Sequence, residues 1–110
     1  MKSVPERDWK LFTKFHPIAL DRFSKRVLDE LDGLRKQDKS NHEIYLAIYR
    51  LIRDRDKEMA QIFDDYRRST AFVQIAMMYN RQLLTEEEFG QFSKETRDSI
   101  IAVQAIWNQE

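Results

Sequence analysis

From Leu34 to Phe89 the chain contains neither glycine nor proline. Nothing in that stretch forces a turn, and its apolar residues keep a helical period. Stepping from Ile44 at about 3.6 residues per turn meets Ile48, Leu51, Arg55, Met59, Ile62, Tyr66, Thr70, Val73, Met77, Asn80 and Leu84, a predominantly apolar stripe. One helix from about Asn41 to Leu84 would be roughly 66 Å long, whereas a compact domain of this size is only about 34 Å across. Either the helix breaks, or the molecule is elongated. Arg67 and Arg68 suit a helix end and Ser69 or Thr70 a new cap, which favours a break in the polar patch from Asp64 to Thr70. The stripe keeps its phase through that patch, which favours a continuous helix, straight or kinked, and this is the expectation adopted.

The flanking segments are also helical. Ser3-Val4-Pro5-Glu6 has the form of a capping box and precedes Trp9, Phe12 and Phe15. His16-Pro17 is expected to interrupt this first helix, because a residue before proline is pushed out of the helical region, and Pro17 then starts a second one. That second helix carries Leu20, Phe23, Val27, Leu31 and Leu34. Arg35 to Lys39 reads as a loop, and Ser40-Asn41-His42-Glu43 as the cap of the long helix. Thr85 to Glu88 is another capping box, opening a short helix with Phe89 and Phe92. Ser93 caps a last helix with Ile100, Val103 and Trp107 near one face. Strand periodicity and hairpin dipeptides are missing. The expected fold is all-α, a single domain over residues 1–110, built as a bundle of four to five helices with one long central helix.

Composition closes off most chemistry. With no Cys there is no disulfide frame, thiol nucleophile or cysteine-ligated zinc, and two Gly leave no glycine-rich phosphate loop. No long uncharged apolar run suggests a membrane span or signal peptide, which points to a cytoplasmic protein. The two histidines lack partners at metal-site spacing. His42-Glu43 would need a second His at 46, which is Leu, and neither His follows a Glu by three residues. His16 and His42 are therefore expected in turn, surface or helix-start roles. Asp54 and Glu58 share a helix face with Arg50, Arg55 and Lys57 nearby, the pattern of a solvated, ion-paired surface. Asp64 and Asp65 before Arg67 and Arg68 suggest an ion-pair cluster along a helix. No catalytic constellation and no cofactor site emerges, so a non-enzymatic protein is expected.

Charge is neutral overall but unevenly spread. Residues 1–26 carry seven basic and three acidic side chains, and residues 85–110 carry two and six. The basic set Lys10, Lys14, Arg22, Lys25 and Arg26 frames the alternative of a nucleic-acid-binding protein. The aromatic residues among them fit a core better, and the acids opening the last helix argue against its insertion in a DNA groove. The sharpest signal is the segment Ala71 to Leu84, apolar on nearly every side. A helix of that kind must be covered all round. Phe72, Ile75, Met77, Met78, Tyr79 and Leu83 thus mark either the central core helix or an interaction face. The functional expectation is an interaction or regulatory domain that pairs through this segment with a second copy or with another protein.

Overall fold

A computed structural model of the chain describes residues 3–109. Five α-helices follow one another with no strand among the described residues: α1 (Glu6–Arg35), α2 (Asn41–Phe63), α3 (Ala71–Asn80), α4 (Glu86–Gly90) and α5 (Lys94–Trp107). The all-α bundle is as expected from the sequence, but its elements are divided differently.

α1 is a single 30-residue helix with Pro17 inside it. The expected interruption at His16-Pro17 does not occur. Proline removes one helical hydrogen bond and crowds the preceding turn. Against that, Phe12, Phe15, Ala19, Phe23 and Val27 fall at steps of three and four across the proline, and all five are buried. Packing along one uninterrupted face outweighs the local cost, while Pro17 itself looks out to solvent. Nor does Ser3 cap this helix. Its N-cap is Pro5, with no side-chain cap bond, because Val4 turns into the core and its carbonyl accepts from Arg68 Nε at 3.1 Å.

The expected long helix is broken. α2 ends at Phe63, residues 64–67 are irregular, and a 3-10 turn at Arg68–Thr70 leads into α3. Side chains take up the carbonyls freed there. His16 Nε2 lies 3.2 Å from the Phe63 oxygen. The Asp65 oxygen accepts from Thr70 Oγ1 and from Gln74 Nε2. Arg67 folds back onto the Asp65 carboxylate at 2.7 and 3.0 Å, so the ion pair is formed in a turn rather than along a helix. Tyr66 joins an aromatic cluster with Trp9, Phe12 and His16. Because the chain turns here, the expected stripe does not continue into α3: Val73 and Met77 face outward or lie half-buried, while Ala71, Ile75 and Met78 enter the core.

α3 stops four residues short of Leu84. Gln82 takes a left-handed conformation, with φ 59°. Its N–H donates to the Tyr79 oxygen, and the Leu83 N–H reaches back to the Met78 oxygen at 2.8 Å. This is a Schellman ending, accompanied by burial of both Met78 and Leu83. Thr85 then closes the expected capping box with Glu88. Ser93 caps α5 through the Thr96 N–H, and Ser40 caps α2 through the Glu43 N–H.

The helices make two unequal parts. The head combines the first two-thirds of α1 with the end of α2 and all of α3, α4 and α5. The rest of α1 and α2 projects from it as an antiparallel two-helix arm. The molecule measures 52 × 31 × 24 Å, and its radius of gyration of 16.6 Å exceeds the roughly 13 Å of a compact chain of about this length. Both resolutions of the length problem therefore hold at once: the helix breaks, and the molecule is elongated.

Candidate interaction surface

The segment marked by its apolar density is mostly interior. Ile75, Met78 and Leu83 have no exposed surface, which corrects their assignment to an outward interaction face. Phe72, Met77 and Tyr79 are half-buried against the same core. Tyr79 stacks on Phe89 with ring centroids 3.8 Å apart, and its hydroxyl donates to the Glu86 carboxylate at 3.0 Å. Burial and this carboxylate raise its pKa above the usual tyrosine value. A helix apolar on nearly every side does need cover, and α1, α2 and α5 of the same chain supply most of it.

Three of the five basic residues hydrogen-bond within the chain, and Lys14 lies over the Phe15 ring. Arg22 forms a two-pronged ion pair with Glu88 at 2.6 and 3.0 Å and donates to the Leu83 oxygen at 2.9 Å. Hydrogen bonding from Arg22 holds the Glu88 carboxyl below its ordinary range despite partial burial. Arg26 donates to the Arg81 and Gln82 oxygens, and Lys25 pairs with Asp29. Arg22 and Arg26 thus close the carboxyl end of α3, where cations complement the helix dipole. Lys10 and Lys14 remain, lining a shallow groove with Glu6, Arg7, Leu11 and Gln91, and Arg7 in it donates to the Gln91 oxygen. The basic quarter is not one continuous surface.

The two histidines and the carboxylates Asp8, Asp54 and Glu58 each have a structural setting. His16 sits edge-on to Phe12, Phe63 and Tyr66. Burial pushes its imidazole below the usual histidine value, only partly offset by its bond to the Phe63 oxygen. His42, in the first turn of α2, is exposed and stacks on Tyr45. Asp54 and Glu58 do not act together: Asp54 meets Arg53, and Glu58 meets Arg55 and Arg81. Asp8 has no exposed surface. Burial raises its pKa, but bonds from the Ser93 hydroxyl and N–H and the Thr96 hydroxyl outweigh this and hold it ionised. Among the described residues no group of three His, Asp or Glu could hold a metal ion, and no helix is long and apolar enough to cross a membrane.

What stays uncovered is the arm. No residue between Val27 and Ile62 is fully buried. Ile44, Ile48 and Leu51 of α2 and Leu31 and Leu34 of α1 are half-buried and form the seam where these two helices meet. The arm is held in register by the two-pronged pair of Arg55 with Glu30 at 3.0 and 2.9 Å. About a quarter-turn from that seam lies a second apolar stripe, Tyr45, Tyr49 and Ile52, at spacings of four and three. These side chains are 66%, 59% and 43% exposed, and Leu28 of α1 is 57% exposed. Leu28 is displaced from the α1 seam in the same rotational sense, by a similar angle. In antiparallel helices equal displacements fall on the same side of the pair, so Leu28 and the α2 stripe share one face. At its tip, Arg35, Asn41, Ile44, Tyr45 and Ile48 line a groove of about 300 Å³. The opposite face is polar and partly covered: Arg26, Glu58 and Arg81 line a cleft there.

Composition marked residues 71–84 and missed this surface, although the signal was present. Two adjacent apolar stripes on α2 make an arc wider than a single neighbouring helix can cover. Comparison of the chain with protein-family models, with curated proteins and with solved structures finds no match.

Proposed function

We propose that the chain is a non-enzymatic protein-interaction domain that offers its α1–α2 arm to a partner. The observation that carries this reading is the one-sided face of Leu28, Tyr45, Tyr49 and Ile52, well exposed on an arm with no buried residue of its own. Large exposed apolar patches, rimmed by polar residues, mark interaction sites, and tyrosine is favoured where one side of a ring must be dry and the hydroxyl wet. The head would serve as the scaffold that holds α1 and α2 at a fixed spacing. The apolar 71–84 segment contributes to that scaffold rather than to the contact. The basic groups first considered for nucleic acid also support the scaffold reading, since Arg22 and Arg26 are spent on closing α3.

A photo-crosslinking residue placed at Tyr49, compared with one at the exposed Glu87 on the head, tests the proposal in the cell of origin. Defined protein adducts from position 49 and none from position 87 are expected. Equal adducts from both positions, or none from 49, would remove the arm as the contact surface.

A further inference from the structure

We infer that the arm's occupant is a second copy of the chain, docked face to face so that each α1 lies over the partner's α2. This rests on the interaction reading above and names its partner. Charges of opposite sign border the apolar face. Along the outer edge of α1 stand Asp29 and Asp32, and along the outer edge of α2 stand Arg50, Arg53 and Lys57, as the helical period places them. All five are exposed, and Asp29 and Arg53 also meet Lys25 and Asp54 of their own chain. One edge is thus acidic where the other is basic.

These edges cannot meet within one chain, because they lie on opposite sides of the arm. Side chains lean toward the N-terminus of their own helix, so Arg55 reaches toward the tip to meet Glu30 and stands about one turn nearer the head. With Arg35 facing Ile44, Tyr45 and Ile48 at the tip, Asp32 stands within about half a turn of Arg50, and Asp29 within about half a turn of Arg53. A twofold axis running along the arm turns the hairpin over without sliding it. It therefore sets Asp32 beside the partner's Arg50 and Asp29 beside the partner's Arg53, and repeats both pairings by symmetry. Between these rims Leu28, Tyr45, Tyr49 and Ile52 of each copy are covered, and two two-helix arms become four helices around a shared core. An axis across the arm would instead lay α1 on α1 and α2 on α2, and put like charges together.

The size of the face sets the strength to expect. It is two helices wide and about four turns tall, roughly 20 Å by 22 Å. With its rims it falls toward the lower end of specific interfaces, about 1,200 Å² in total. A reversible, concentration-dependent dimer follows, rather than an obligate one. Rim charges in such an interface act chiefly on specificity and register.

Sedimentation velocity on the full chain from about 1 μM to about 1 mM, at low salt, tests the inference, with circular dichroism to check that each variant stays helical. The wild-type chain is expected to dimerise over this range, and Tyr49→Asp to remain monomeric. Asp32→Arg and Arg50→Asp should each weaken dimerisation by about tenfold. An equimolar mixture of the two should form a heterodimer more tightly than either self-associates. A wild-type chain monomeric throughout, or a dimer indifferent to Tyr49→Asp, would overturn the second-copy assignment. So would failure of the mixture to regain affinity. If the wild type is monomeric while position 49 crosslinks to a different protein, the interaction reading stands and only the choice of partner fails.

Discussion

Asp8 shows what a single side chain does for this fold. Its carboxylate, fully buried on α1, accepts from the Ser93 N–H at 2.9 Å, the Ser93 hydroxyl at 2.6 Å and the Thr96 hydroxyl at 2.5 Å. It pins the start of α5 to the start of α1, 85 residues away in sequence. Asp8→Ala leaves those donors buried without an acceptor and should cost about 3 kcal/mol of stability, read from urea denaturation at neutral pH. His16 supplies the pH dependence. Burial lowers its folded-state pKa beneath the unfolded value, so the unfolded chain binds the proton more readily. Stability is then complete above about pH 6.5 and falls as the pH drops through the folded value. His16→Gln, whose amide can still donate to the Phe63 oxygen, should flatten stability just below about pH 6.5. An unchanged slope would show that another group titrates there.

At the level of elements, short signals and long ones fared differently. The caps at Ser40, Thr85 and Ser93 were legible because a cap is made by residues three positions apart. Pro17 was misleading because its effect on its own turn is local, whereas the face that overrides it spans Phe12 to Val27. This can be measured. Pro17 is exposed, so Pro17→Ala removes no core contact, restores a backbone donor, and should raise stability by about 1–3 kcal/mol. A loss of stability would mean that proline's stiffening of the unfolded chain outweighs its cost in the helix. The break after Phe63 was obscured by stripe phase. Phase describes a helix only while the helix lasts, and the groups that end this one, His16 from α1 and Gln74 from α3, are distant in sequence.

The whole molecule is a head that holds the buried core and a thin arm, and its stability should be divided accordingly. Backbone hydrogen bonds in a segment with few buried contacts open at lower free energy than those of the core. Hydrogen exchange on dilute protein should therefore be faster for amides of residues 28–61 than for those of residues 12–23 or 71–80. At high concentration the arm amides should slow selectively, since arm-to-arm docking protects them and leaves the head unchanged. Uniform protection at all concentrations would contradict both the division and the docking.

What the sequence determined by itself was the kind of element and the chemistry ruled out: helical periods, three of the caps, no cysteine chemistry and no histidine spaced for a metal. These depend on residue type and on neighbours within a turn or two. Only the tertiary structure decided which apolar surface was left over. The segment from Ala71 to Leu84 is the richest in apolar residues, yet the chain encloses most of it. The sparser stripe of Tyr45, Tyr49 and Ile52 stays in solvent because the arm has just two helices. Burial depends on how many neighbours a face acquires, and that number is fixed by where the chain turns.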